Sequence, residues 1–171
     1  MATLKQHIWL CGFMGCGKST VGKMLSKLCN APFLDMDEYI EKAEGKRIPD
    51  IFSEFGEPYF RKLETETVVS LNFHAPAVIA TGGGVMISQK NAEEAKKSGH
   101  VVLLDTPFEI CYNRIYKSDR PIVRRSSKEE LAALYDTRRS LYMSHADLIL
   151  DSSVSSEKAV QDLIDIIAKS K

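Results

Sequence analysis

Five short apolar runs punctuate the chain: "HIWLC" (7–11), "PFLD" (32–35), "AVIAT" (77–81), "HVVLLD" (100–105) and "ADLILD" (146–151). Each is apolar on consecutive positions and ends at or beside Asp, Gly or Thr, the pattern of parallel strands covered on both faces. Between them the apolar positions fall at helical spacing, as with Val21, Met24, Leu25 and Leu28 in "KSTVGKMLSKLC". "DEYIEKAEG", "IPDIFSEF", "EPYFRKLETETVVSLNF", "SQKNAEEAKKSG", "PFEICYNRIYKS" and "KEELAALYDTRRSLYMSH" also predict helices, and the Ser-rich "LDSSVSSEKAV" leads into a last one. Strand alternating with helix predicts an α/β protein, a three-layer α/β/α arrangement around a central five-stranded parallel sheet. Right-handed crossovers in such a sheet put ligands at the carboxyl ends of the strands.

Composition narrows what those ligands are. The 171 residues suit one domain, 1–171, and 23 Lys plus Arg balance 23 Asp plus Glu. No overall field then favours nucleic acid or an acidic membrane surface, so any basic site is local. No stretch approaches the ~20 apolar residues of a membrane span, and the first residues lack the layout of a signal or transit peptide. Cys11, Cys16, Cys29 and Cys111 show no C-x-x-C pair or metal spacing. Reduced, mostly buried thiols and a cytoplasmic location are expected.

The most specific chemistry follows the first strand. Gly12, Gly17, Lys18 and Ser19 fit G-x-x-x-x-G-K-[ST] within a phosphate loop over residues 12–20. Glycines let the backbone wrap a phosphate with its N–H groups inward, and the next helix presents its positive end to the same anion. Lys18 would reach the outer phosphates and the Ser19 hydroxyl would ligate Mg²⁺. Cys16 sits inside the loop, open to alkylation but without an assigned chemical role. A glycine turn joining strand to helix is the bland alternative.

Other polar clusters fall after later strands. In "FLDMDEYI", Asp35 at a strand end is suited to hold Mg²⁺ through water, while Asp37 can reach an acceptor or cap the following helix. Three glycines in a row, Gly82, Gly83 and Gly84, exceed what a turn needs and imply close approach of backbone to something. "KSDRPIVRRSSKEEL" reads as a mobile basic loop whose Arg120 can stabilise charge on a transferring phosphoryl group. Arg61, Arg138 and Arg139 lie on helices, and taken singly each reads as solvated surface charge, Arg139 above all.

Taken in order, "GFMGCGKST", "DMD", "FRKLE" after "FGE", "GGG", "RP" and "RRSLY" resemble the shikimate kinases, small P-loop kinases, over nearly the whole chain. The resemblance implies a P-loop kinase fold and transfer of the ATP γ-phosphoryl group to the 3-hydroxyl of shikimate, a step towards aromatic amino acids. It implies that Arg61 and Arg138 clamp the acceptor carboxylate and that Asp37 binds ring hydroxyls and accepts the attacking proton. Gly82, Gly83 and Gly84 would line the pocket. Lys18 and Arg120 would hold the phosphates, with Ser19 and Asp35 organising Mg²⁺. Gly12, Gly15, Cys16, Gly17, Thr20 and Arg114 complete the ATP set, Arg114 as the candidate for stacking on the base. A substrate-binding segment of about 36–61 and a lid of about 118–128 are implied too, in a monomer whose partners are the small molecules ATP and shikimate.

Two departures stand out: Ile122 where Leu is expected after Arg120–Pro121, and no arginine in "DSSVSSEK". A GTPase is disfavoured, since N-K-x-D is missing and "ATGGG" stands where D-x-x-G would be. A sugar-acid kinase of the gluconate type and a catalytically silent nucleotide-binding module are the remaining rivals.

Overall fold

A computed structural model describes residues 3–169. The outermost residues of the expected 1–171 domain, 1–2 and 170–171, lie outside the described residues. Five parallel strands, β1 (His7–Cys11), β2 (Phe33–Asp35), β3 (Val78–Ala80), β4 (Gly99–Asp105) and β5 (Leu148–Asp151), form one sheet in the order β2-β3-β1-β4-β5. All five apolar runs are strands, the first matching β1 end to end and the other four trimmed or extended by a residue or two. Chain order reverses on either side of β1, which makes the carboxyl end of β1 the switch point where α/β sheets bind ligands.

Among the described residues, eight α-helices connect and flank the strands: α1 (Lys18–Leu28), α2 (Met36–Glu44), α3 (Ile48–Leu71), α4 (Gln89–Lys96), α5 (Phe108–Ile115), α6 (Pro121–Arg125), α7 (Lys128–His145) and α8 (Ser156–Lys169). Successive strand residues point to opposite faces, and both faces are buried. Ile8, Leu10, Val78, Val102 and Leu104 pack with Leu25 of α1 and Val160 and Leu163 of α8 in one core. Trp9, Ile79, Val101 and Leu103 pack with Val68 and Leu71 of α3 and Ala92 and Ala95 of α4 in the other. That double covering explains why the strands read as unbroken apolar runs. α7 crosses the strand ends, with Leu131 and Tyr135 in the first core and Tyr142 in the second.

"IPDIFSEF" and "EPYFRKLETETVVSLNF" are the two halves of α3, separated as their spacing predicts at Gly56, whose backbone is non-helical (φ 82, ψ 170). The positive φ is open to glycine at little cost, and Pro58 then starts the second half as a helix-opening residue. Within the basic loop expected to be irregular, Pro121–Arg125 form the short helix α6. Ile40, Ile51 and Phe60 make a small core of their own between α2 and α3, while Met36 at the start of α2 packs into the second sheet core.

Candidate active site

α1 begins without a side-chain cap. Its N-cap is Gly17, left-handed at φ 101, and the first backbone N–H groups point into the cleft above the sheet. Gly15, Gly17, Lys18, Ser19 and Thr20 line that cleft, of about 450 Å³, with Asp35, Asp37, Ala80–Gly83, Arg114, Arg120 and Ser156. Met14 also lines it, a residue that no motif position singles out. Lys18 Nζ donates to the carbonyls of Gly12 (2.8 Å) and Phe13 (3.1 Å), which holds the ammonium across its own loop. Arg114 donates to the Gly15 carbonyl at 2.9 Å, which puts it against the phosphate loop itself.

Gly12 and Cys16 shape the loop from beneath. A Cβ on Gly12 would stand 2.7 Å from Cys16 Sγ and 2.8 Å from the Leu104 carbonyl. Cys16 is only 2% exposed, so the ready alkylation expected of it is corrected: its side chain is in the core while its carbonyl accepts from Thr106. All four cysteines are free and buried, as expected.

Asp35 does two jobs. Its Oδ1 accepts from the backbone N–H groups of Asp37 (3.0 Å) and Glu38 (3.4 Å), and its Oδ2 accepts from the Ser19 hydroxyl at 3.1 Å. The helix therefore starts one residue earlier than its sequence pattern suggests. Asp35 is its cap, and Asp37 lies in the first turn, free of the capping duty that competed with a functional reading. Ser19 and Asp35 form an all-oxygen pair beside Lys18, a donor set that suits Mg²⁺ with most of its shell left to water and phosphate.

The three glycines after β3 explain themselves by what they face. A Cβ on Gly82 would lie 2.7 Å from Asp37 Oδ1, one on Gly83 would lie 3.3 Å from an Arg138 Nη, and one on Gly84 would overlap the Arg61 guanidinium. Each glycine thus makes room for one of three polar side chains drawn from α2, α7 and α3. None of the three has a positive φ, so it is the close approach of these side chains, tightest at Gly82 and Gly84, that favours glycine. Tyr142 donates its hydroxyl to the Gly83 carbonyl and fixes the middle of the turn.

Electrostatics favours a proton acceptor here. Burial pushes the Asp37 carboxyl above its ordinary range, and the charge of Asp35 adds to this against Lys18 and Arg120. Glu64, 1% exposed, is pushed up in the same way by burial, although Arg61 opposes the shift through a 2.7 Å ion pair. Sequence reasoning missed Glu64. Its position three residues after Arg61, one helical turn on, was the signal.

A sequence model described as shikimate kinase matches residues 14–168. The shikimate kinase of Aquifex aeolicus is 40% identical over 159 residues, covering 92% of this chain and 94% of its own. The chain belongs to the shikimate kinase family. Among solved structures, a shikimate kinase from Acinetobacter baumannii in complex with shikimate superposes at a TM-score of 0.90, with 35% identity over 97% of this chain and 94% of its own. A gluconokinase from Sinorhizobium meliloti reaches a TM-score of 0.63 at 17% identity, over 98% and 94% of the two chains, and shares the fold alone. Membership in the shikimate kinase family sets aside the sugar-acid kinase and silent-module readings.

One arginine of this shikimate kinase fold behaves otherwise than its sequence suggests. Arg139 is more than a solvated charge: with 40% of its side chain exposed, it forks onto Asp105 at the end of β4 with bonds of 2.7 and 2.6 Å. The carboxylate beside it holds the guanidinium well above its ordinary value. Arg120 sits at the N-cap of α6 at the mouth of the cleft, its carbonyl accepting from the Arg124 N–H at 3.1 Å and its side chain making no cap hydrogen bond.

Proposed function

We infer that the chain transfers the γ-phosphoryl group of ATP to the 3-hydroxyl of shikimate, giving shikimate 3-phosphate and ADP, and that the residues gathered at the glycine turn carry the acceptor. The observation that carries this reading is the set of three contacts at Gly82, Gly83 and Gly84, which pack one carboxylate and two guanidiniums beside the phosphate loop. An acceptor with one carboxylate and three hydroxyls needs such a site. Planar guanidiniums on Arg61 and Arg138 suit the carboxylate, and Asp37 suits a hydroxyl.

In this reading the backbone N–H groups of Gly15, Gly17, Lys18 and Thr20 cradle the phosphates, with Gly12 and Cys16 shaping the loop and Arg114 at the base side. Lys18 leaves the Gly12 and Phe13 carbonyls for the phosphate oxygens, a better partner for an ammonium than two neutral carbonyls. Asp37 accepts the proton of the attacking hydroxyl, and its raised affinity for protons makes it a stronger base than an ordinary carboxylate. Arg120 meets charge spreading over the transferring group as the 118–128 lid closes and excludes water. Mg²⁺ held by Ser19 and Asp35 would neutralise charge on the phosphates. One domain over 1–171, working as a cytoplasmic monomer on two small molecules with no nucleic acid or membrane involved, completes the proposal. The four reduced thiols are in keeping with that compartment.

A coupled ADP-release assay with ATP and Mg²⁺ tests it, with shikimate as acceptor and gluconate as control. Release that depends on shikimate alone is expected. Stimulation by neither acid, with ATP still bound, overturns the acceptor assignment.

A further inference from the structure

Arg61 already holds two carboxylates of its own chain. Its Nη1 donates to Glu64 at 2.7 Å, while Nη2 and Nε both donate to one oxygen of Glu57, at 2.9 and 3.2 Å. A guanidinium has five N–H donors on a planar fork, and Glu57 covers the Nε–Nη2 edge, the edge that best pairs with a carboxylate. The two glutamates differ in how readily they can leave. Glu64 is sealed in, with 2% of its side chain exposed, and freeing it from Arg61 would strand a buried charge. The Glu57 side chain is 62% exposed and belongs to the residue directly after the Gly56 break, so it can swing into water at little cost.

We propose that Glu57 is an internal competitor for the acceptor's carboxylate: it occupies the outer edge of Arg61 and must be displaced when shikimate binds, while Glu64 stays and orients the guanidinium. The proposal rests on the reading of Arg61 as an acceptor-binding residue. It assigns opposite effects to two glutamates that touch the same arginine. Removing the competitor tightens acceptor binding; removing the orienting residue weakens it.

The experiment compares KM for shikimate in wild type, Glu57→Gln and Glu64→Gln at low and high salt. An exposed ion pair of this kind is worth up to about 1 kcal/mol, so Glu57→Gln should lower KM by up to about five-fold at low ionic strength, with the gain fading in salt. The effect should appear in KM and not in kcat. Glu64→Gln should raise KM. As a second arm, shikimate methyl ester, which lacks the charge that competes, should show no gain from Glu57→Gln. A KM that rises in Glu57→Gln, or an equal gain with the ester, overturns the proposal and makes Glu57 a support for Arg61. Failure of the underlying function is separable, because wild type would then release no ADP with shikimate.

Discussion

Asp37 sits at the meeting of catalysis and stability. It is held above the ordinary carboxylate range by burial and by Asp35, and the proposed chemistry needs it ionised. Asp37→Asn should abolish transfer while leaving ATP binding nearly intact, checked by activity and nucleotide titration; near wild-type turnover would remove it as the base. The sign of the linkage gives a second outcome. A carboxyl whose folded pKa lies above its unfolded one binds more protons in the folded state, so it costs stability once pH rises past the unfolded value. Asp37→Asn should therefore melt higher than wild type at neutral pH, with the difference shrinking as pH falls below the ordinary carboxylate range. By the same direction of shift, the acid limb of kcat should lie above that range. Lys18→Ala should lower kcat by orders of magnitude, since it removes the cation shared by the loop and the phosphates. Residues in local motifs, such as Lys18, Ser19 and the three glycines, were legible because their chemistry dictates their spacing. Arg139 was not, because its partner Asp105 lies 34 residues away and only the fold brings them together.

At the scale of elements, α7 runs from the end of β4 to the glycine turn. Its N-terminus is fixed by a capping box between Ser127 and Glu130. Its middle is tied to the strand end by Tyr135, which donates to the Thr106 carbonyl at 2.8 Å, and by the Arg139–Asp105 fork. Arg138 then projects to the glycine turn from a helix held one residue on. Asp105→Asn should raise KM for shikimate more than KM for ATP, because it loosens the platform of Arg138 and leaves the phosphate loop in place; an equal rise in both would argue against this. Strands and helices were readable in the sequence because burial on both faces leaves continuous apolar runs. The break at Gly56 was readable too, while the short α6 was not, because its five residues carry too little periodicity to register.

The whole molecule keeps its chemistry at one rim of the sheet and its fastening at the other. At the opposite rim His7 is 2% exposed, accepts from the Ala77 N–H at 3.0 Å through Nδ1, and so donates through Nε2 to the Leu71 carbonyl, also at 3.0 Å. Both ring nitrogens are used by a neutral imidazole, which joins the start of β1 to the end of α3 and the approach to β3. Burial depresses its pKa below the ordinary 6.5, so the stability it contributes is present above that value and is lost as pH falls through the folded pKa. Stability to urea should drop on acidification below about pH 6.5, and less so in His7→Gln, which carries no titratable group. A parallel acid loss in both would assign the effect elsewhere.

The glycine turn also bears on how such a site can change over generations. A side chain at Gly82 or Gly84 meets Asp37 or Arg61 as they now stand, whereas at Gly83 Arg138 need give by only a few tenths of an ångström. A lineage drifting towards a new acceptor that alters Asp37 or Arg61 thereby relieves Gly82 or Gly84, so changes at the turn and in the side chains facing it are coupled.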